Sequence, residues 1–288
     1  MTDSISILGC GWMGWPIGKQ LAASGLRVHG STTTPEKLDR LRDDGIEPFR
    51  LELSPELHGP EADRFFDTEV LFLNVPPPVW QVASEDLAEY HTRQIQSVLD
   101  HVADGPIDWV IFAGSTGVYP KTAGRVVETD QPPGRPDAMT GPRRSTGRVL
   151  IDVEGRLMDR SGVDVTILRF AGLYGGDRHP GRFLAGRADV GRPEAPVNLV
   201  HQDDCVGVVE TVLQQDARGE IFNVCATEHP TRRELYTGAA RALDLEPPTF
   251  ADDASSAGKI VSNERLRTDL GYVLRHPDPL ADLAPTAS

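Results

Sequence analysis

Short apolar segments alternate with longer amphipathic segments along most of the chain. The first apolar segment covers residues 5–8, and a helical pattern with Ile17 and Leu21 on its apolar face follows at once. A second apolar segment at residues 27–31 leads to a helix at residues 36–44, which Pro35 opens because proline is tolerated in a first helical turn. This alternation predicts consecutive β-α-β units whose strands run parallel in one sheet.

The same alternation continues through the rest of the chain. Residues 70–75 are almost continuously apolar, as a central parallel strand requires because both of its faces are buried. A short strand is predicted at residues 197–201, where Asp203 or Asp204 caps the helix that follows. We predict further strands at residues 47–53, 109–113, 165–170 and 221–224, and further helices at residues 87–102, 146–160, 231–243 and, ending at Gly271, within residues 259–272.

These elements define the expected fold class and domain organisation. The predicted class is α/β, a doubly wound parallel sheet with a small C-terminal part that covers the substrate. Residues 1–165 form the nucleotide-binding part, and residues 166–288 add the remaining strands and the small substrate-binding part. We expect the two parts to form one compact unit.

A GxGxxG motif stands between the first strand and the first helix. Gly9 suits the tight turn out of the strand, Gly11 lets a pyrophosphate approach the backbone, and Gly14 lets the helix pack closely on the sheet. Unpaired amides and the positive end of the helix dipole favour phosphate at that helix N-terminus. The sequence therefore predicts a Rossmann dinucleotide-binding site.

The end of the second strand bears on the choice between NAD and NADP. An NAD site carries an acidic side chain there, about twenty residues after the glycines, that binds the ribose 2′-hydroxyl. This chain has Thr32 and Thr33 instead, so no carboxylate repels a 2′-phosphate. The sequence favours NADP as cofactor, with NAD as the alternative.

The loops at the carboxyl ends of later strands are the other candidate site residues. Three prolines at residues 76–78 must turn the chain away from the sheet, and residues 121–144 are predicted as a loop over the same side. The irregular loop at residues 171–182 contains Arg178, His179 and Arg182, which either meet an anionic substrate or are ordinary solvated charges. The residues expected to contact the cofactor are Gly9, Cys10, Gly11, Trp12, Met13, Gly14, Thr32, Thr33, Glu52, Leu53, Asn74, Pro76 and Gly172.

Composition excludes several classes of partner. The formal net charge of -14 argues against nucleic acid, which needs a basic surface to neutralise its phosphates. No apolar run is long enough to span a bilayer and no signal peptide is recognisable, so we expect a cytoplasmic protein with a small-molecule substrate, as a monomer or homodimer. Cys10, Cys205 and Cys225 are widely spaced, which argues against a disulfide framework or a zinc site and favours buried thiols.

Five segments in order resemble the extended short-chain dehydrogenase/reductase superfamily, in the branch of NAD-dependent epimerases and dehydratases. They are GCGWMG at residues 9–14, STGVY at residues 115–119, LRFAGLYGG at residues 168–176, NLVHQDD at residues 198–204 and IFNVCATEHPTRREL at residues 221–235. The resemblance covers nearly the whole chain and implies a nicotinamide cofactor. The GxGxxG, in place of the commoner GxxGxxG, and the proline run look like an atypical subgroup.

The resemblance also assigns catalytic positions. Ser115 falls where the superfamily keeps the Ser or Thr that hydrogen-bonds the substrate oxygen. The usual YxxxK pair is missing: counted back from Glu154, which matches an acidic residue of the family, the pair falls on Thr146 and Leu150. No tyrosine of this chain is followed by a lysine four residues later.

Other groups must therefore supply the proton if the chain is an enzyme. We predict Tyr119, near Ser115, and Tyr174, on the loop after the strand at residues 165–170, as candidate acids beside water. Arg148, on the helix that normally carries the pair, is predicted to donate to an oxyanion without losing a proton.

A second family shares the opening pattern. The β-hydroxyacid dehydrogenases have a GxGxMGxP start, which Met13 and Pro16 complete here. Those enzymes need a long all-helical second domain, whereas the second half of this chain alternates strands and helices. The sequence therefore predicts an NAD(P)-dependent oxidoreductase or epimerase acting on a carbonyl, a hydroxyl or a sugar-nucleotide-like substrate. The alternatives are a redox sensor without turnover and a structural partner protein.

Overall fold

A parallel sheet forms the centre of the computed structural model, which describes residues 2–83, 86–121, 124–135, 146–160, 162–252 and 257–283. The strands are β1 (Ser4–Leu8), β2 (Arg27–Thr32), β3 (Glu47–Arg50), β4 (Glu52–Leu53), β5 (Leu57–His58), β6 (Val70–Leu73), β7 (Trp109–Ser115), β8 (Gly124–Val126), β9 (Asp164–Phe170), β10 (Gly172–Tyr174), β11 (Leu199–His201), β12 (Ile221–Val224) and β13 (Lys259–Val261). The helices are α1 (Gly14–Ala23), α2 (Leu38–Asp43), α3 (Ala62–Phe65), α4 (Leu87–Asp104), α5 (Thr146–Met158), α6 (Gly181–Leu184), α7 (Gln202–Gln214), α8 (Arg232–Arg241) and α9 (Glu264–Thr268).

The main sheet has seven strands in the order β12-β9-β7-β6-β1-β2-β3, and every neighbouring pair is parallel. This arrangement confirms the predicted doubly wound α/β class. The central strands are fully buried, as their apolar sequences require: Ile5, Phe72 and Ile111 each have 0% exposure. The order of strands reverses between β1 and β6, which creates a crevice at their carboxyl ends.

Three predictions about elements need correction. The third strand of the sheet ends at Arg50, and Glu52 and Leu53 belong to a separate antiparallel pair with β5. The segment at residues 259–272 begins as β13, paired with β8, and its helix is only α9. The loop at residues 171–182 is regular in part, because β10 pairs with β11 and α6 begins at its end.

The predicted cap of α7 is also wrong. His201 occupies the N-cap position, and its Nδ1 accepts the backbone N–H of Asp203 at 3.1 Å. Asp204 is fully buried and accepts from Tyr272 Oη at 2.9 Å and from two backbone N–H groups of the C-terminal segment. Its structural role is to hold residues 272–276 against α7.

The predicted loop at residues 121–144 is described only in part. Within it, β8 and a single 3₁₀ turn at Glu128–Asp130 are formed, and residues 136–145 lie outside the described residues. The prediction of buried thiols is confirmed, since Cys10, Cys205 and Cys225 are buried and unpaired.

Candidate functional site

A groove lies at the carboxyl ends of β1 and β6, where the strand order reverses. It has two halves that share Gly9, Gly11, Asn74 and Pro76 along their common floor. Asn74 ties the two strand ends together, because its Nδ2 donates to the carbonyl oxygen of Gly9 at 3.0 Å. We call this feature the switch-point groove, with a Thr32 half and a Ser115 half.

The structure supports the close-packing roles predicted for Gly9 and Gly14, whereas the contact of Gly11 with a pyrophosphate stays a prediction. Gly9 has φ +107°, and a Cβ there would lie 2.5 Å from the carbonyl oxygen of Asn74. A Cβ on Gly14 would lie 2.2 Å from the oxygen of Gly9, so only glycine permits the close approach of α1. By contrast, a Cβ on Gly11 would meet no atom within 4 Å and would project into open space.

The start of α1 has features that suit a pyrophosphate. The first-turn amides of a helix generally have no acceptor within the helix, although in α1 Pro16 has no N–H and Trp15 donates to the carbonyl oxygen of Gly11 at 3.1 Å. The helix carries no acidic residue in its first turn. Gly11 lines both halves of the groove, so a molecule that spans them passes over the open face of this glycine. These features suit an anionic group at the middle of an extended ligand.

The Thr32 half is a cavity of about 430 Å³. Thr32, Thr33 and Lys37 line one side of it, and the apolar side chains of Leu51, Leu53 and Leu57 line another. The sequence analysis does not identify Lys37, because it lies five residues after the end of β2. Only the turn after Thr34 returns its side chain to the cavity. Glu52 is exposed, is absent from the lining and does not support the role predicted for it.

The Ser115 half is a cavity of about 540 Å³. Ser115 lies at the end of β7 and its Oγ accepts the backbone N–H of Gly117 at 3.0 Å, which orients the hydroxyl. Thr146 and Leu150, on which the sequence resemblance places the YxxxK pair, both line this half. The lining therefore includes the hydroxyl-bearing side chains of Ser115 and Thr146 and the apolar side chain of Leu150.

A clamp of aromatic and charged groups closes one wall of the Ser115 half. The guanidinium of Arg178 lies 4.4 Å from the ring centroid of Trp12, and the indole N–H of Trp12 donates to Asp177 at 2.7 Å. Gln202, at the start of α7, donates to the carbonyl oxygen of Trp12 at 2.7 Å. The glycine loop is thus held to residues from the second half of the chain.

Tyr119 cannot serve as the acid predicted from the sequence. Its side chain is 1% exposed, its Oη donates to Asn223 Oδ1 at 2.7 Å, and it accepts from Arg169 Nη1 at 2.9 Å. Burial raises the pKa of this phenol to about 12. The prediction is corrected because the proton is held in a buried network that also contains the Glu154–Arg169 ion pair.

Tyr174 is corrected for the same reason. It is 2% exposed, and its Oη donates to Asp282 Oδ2 at 2.5 Å. Burial and this carboxylate raise its pKa far above the ordinary value. Within the described residues, neither tyrosine lines the switch-point groove.

Two other predicted site residues lie beside the groove. Gly172 is exposed on β10, and its neighbours Ala171 and Leu173 form the lining instead. Arg148 is half-buried on α5 and is not part of the lining, so its action on an oxyanion stays a prediction. Cys10, Trp12 and Met13 do line the groove, as predicted for cofactor-contacting residues.

A sequence relative matches almost the whole chain. Protein YeeZ of Escherichia coli strain K12 is 37% identical over 279 residues, which are 96% of this chain and 97% of that protein. A comparison with models of protein families found no match. Within the described residues, no helix is long and apolar enough to cross a membrane.

Solved structures share the architecture at low sequence identity. A short-chain dehydrogenase/reductase superfamily protein from Agrobacterium tumefaciens, solved with bound NAD, has a TM-score of 0.75 at 19% identity and covers 98% of this chain and 96% of its own. A UDP-glucose-4-epimerase from Stenotrophomonas maltophila, with bound NAD and formylated UDP-arabinopyranose, has a TM-score of 0.75 at 14% identity, with 98% and 97% of the chains covered. The chain therefore belongs to the family of protein YeeZ, and it shares the fold of short-chain dehydrogenase/reductase and epimerase structures.

Proposed function

We propose that this protein is an NADP-dependent oxidoreductase or epimerase of an atypical short-chain dehydrogenase type. The observation that carries the proposal is the continuous groove that runs from Thr32, over the open face of Gly11, to the hydroxyl of Ser115. Its substrate is a carbonyl or hydroxyl compound, or one that resembles a sugar nucleotide. Two structural neighbours, solved with NAD and a sugar nucleotide, support this class.

The residues of the Thr32 half favour NADP over NAD. No carboxylate side chain lines this half among the described residues, and Lys37 places one cation beside the hydroxyls of Thr32 and Thr33. A 2′-phosphate is stabilised by such a cation and by hydroxyl donors, whereas the NAD ribose calls for a carboxylate acceptor. The leucines of this half suit the flat face of an adenine.

When bound, a nicotinamide dinucleotide supplies the site that gives or accepts hydride. The residues of this chain then have to orient the substrate and supply a proton. Ser115 Oγ already accepts from Gly117, so its own proton is available for the substrate oxygen, where negative charge develops in the transition state. Thr146 is exposed at the edge of the same half, so water reaches the site and supplies or removes the proton there.

The substrate we propose carries negative charge. Arg178 lines the Ser115 half and is exposed, with its guanidinium stacked on Trp12. A stacked guanidinium is pre-organised to bind a carboxylate or phosphate through two parallel hydrogen bonds.

A redox sensor without turnover is the second candidate. The observation that favours it is that no tyrosine lines the site among the described residues: Tyr119 and Tyr174 are buried in fixed hydrogen bonds, and Thr146 stands where the resemblance places the usual tyrosine. Such a protein binds NADP and NADPH with different consequences for its conformation or its partner.

The experiment is a panel of carbonyl compounds and sugar nucleotides, with NADPH absorbance as the readout for net reduction and chromatography of the products as the readout for epimerisation. Ser115→Ala should lower kcat on an accepted substrate by about 10²–10³-fold, because a positioned oxyanion donor is lost. Ser115→Thr keeps the hydroxyl and should retain activity. Ser24→Ala, at the far end of α1, is the matched control. Tight NADP binding with no turnover of any compound would favour the sensor.

A further inference from the structure

Two histidines and two aspartates from distant parts of the chain meet behind the wall of the Ser115 half. His201 and Asp203 lie at the start of α7, whereas His276 and Asp282 lie in the C-terminal segment that Asp204 holds in place. The imidazole rings of His201 and His276 are 3.7 Å apart between centroids.

Asp203 is the common partner of both rings. Its Oδ2 lies 3.7 Å from Nδ1 of His201 and 3.5 Å from Nε2 of His276. One ligand atom from each of the three residues lies within 4.8 Å of the other two. A tetrahedral zinc ion with ligands at about 2.0–2.2 Å separates its donor atoms by about 3.4 Å, which is close to the two contacts of Asp203.

A second carboxylate lies beside the other ring nitrogen of His276. Nδ1 of His276 lies 3.1 Å from Asp282 Oδ1, which leaves Nε2 directed toward Asp203. Asp282 is fixed in turn by the hydroxyl of Tyr174, which donates to its other oxygen. A carboxylate behind the imidazole sets its tautomer and raises its basicity as a ligand.

From this arrangement we propose that His201, Asp203 and His276 form a binding site for a divalent transition metal, with Zn²⁺ as the preferred ion. Two imidazoles and a carboxylate are donors that suit zinc, and the exposed side of Asp203 leaves the fourth position to water. The site lies apart from the groove, since none of its three residues lines either half. The role of the metal site is structural, because the ion would link the C-terminal segment to the start of α7.

The local charge favours a cation. Three carboxylates, those of Asp203, Asp204 and Asp282, face the two imidazoles. Nδ1 of His201 accepts the N–H of Asp203 at 3.1 Å, and the ion would replace that donor.

The sequence gives no signal for this site. Metal sites are usually recognised from closely spaced Cys and His residues, and here only His201 and Asp203 are neighbours in the chain. The expectation of no zinc site was drawn from the three cysteines, which are buried and do not take part.

The test is zinc titration of the full, tag-free chain after removal of metal by a chelator. We expect one Zn²⁺ per chain, a rise in Tm on the order of 3–5 °C at saturation, and a tetrahedral visible spectrum when Co²⁺ is substituted. Asp203→Asn and His276→Gln should each weaken binding at least tenfold. Asp282→Asn should weaken it about 10–100-fold through the imidazole it orients. His201 is left intact because it also caps α7.

The control is His58→Gln, which removes an exposed histidine of β5. Since Asp203 is also exposed, its variant should fold, which circular dichroism checks. Absence of stoichiometric binding, or binding that Asp203→Asn and His276→Gln leave unchanged, would overturn the proposal. So would an equal loss in the His58 variant. The cofactor is not needed for this titration, so its result is independent of the proposed enzymatic function.

Discussion

Gly11 and Gly14 provide a matched pair of substitutions that separates binding from folding. Adding one methyl group at Gly11 meets no protein atom within 4 Å, so Gly11→Ala should change the free energy of unfolding by no more than about 1 kcal/mol. The same methyl group at Gly14 lies 2.2 Å from the oxygen of Gly9. Backbone must shift to relieve that contact, which typically costs about 1–3 kcal/mol.

Gly11→Ala should impair binding of the dinucleotide rather than folding. The Gly11 methyl group occupies space over which the pyrophosphate must pass, so NADP binding should weaken at least tenfold, or about 1.4 kcal/mol. Urea unfolding measures the stability of each variant without ligand, and calorimetric titration with NADP measures binding. Because Trp12 lines the groove, quenching of tryptophan fluorescence gives a second binding signal.

Either of two results would refute this reasoning. Gly11→Ala could bind NADP as tightly as the unmodified chain, which would show that the pyrophosphate does not lie over this glycine. Gly11→Ala could instead lose as much stability as Gly14→Ala, which would show that the motif is only a packing feature.

Three further predictions use other parts of the molecule. Thr32→Asp should shift the binding preference from NADP toward NAD. Lys37→Gln should weaken the affinity for NADP at least tenfold and leave the affinity for NAD unchanged. Calorimetric titration with both cofactors measures these affinities, and equal losses for NADP and NAD would contradict the prediction. Glu154→Gln leaves the buried charge of Arg169 without its counter-ion and should lower the free energy of unfolding by about 3–5 kcal/mol in urea, whereas a loss below about 1 kcal/mol would show the pair to be dispensable. Burial raises the pKa of Cys10 from 9.0 to about 12. The stability that this thiol contributes is therefore complete below pH 9 and is lost between pH 9 and 12, as the thiol of the unfolded chain ionises. Cys10→Ala should reduce the fall in the free energy of unfolding between pH 9 and 10.5 by up to about 1.4 kcal/mol per pH unit, and an unchanged slope would contradict this.

The sheet and the glycine loop were predictable because their signals are local. Buried parallel strands need continuous apolar runs, and the turn after β1 needs a glycine with the φ of Gly9. Counting from Glu154 also put Thr146 and Leu150 at the positions of the missing pair, and both line the groove. These inferences depend on spacing within one element.

The roles of the tyrosines were not predictable because they depend on partners far away in the chain. Tyr119 follows Ser115 closely, yet its hydroxyl is bound by Asn223 of β12 and Arg169 of β9. Asp204 has the residue type and position of a helix cap, but the returning C-terminal segment supplies donors that bury it instead. Sequence patterns describe what a residue can do locally, and tertiary contacts decide which option is used.

The most direct test of the account is a crystal structure of the chain with NADP. The account predicts that the adenosine 2′-phosphate lies beside Thr32 and Lys37, that the pyrophosphate crosses Gly11, and that the nicotinamide ring lies in the Ser115 half with its reactive face toward the Ser115 hydroxyl. A cofactor bound in the reverse direction, or bound outside the switch-point groove, would contradict it.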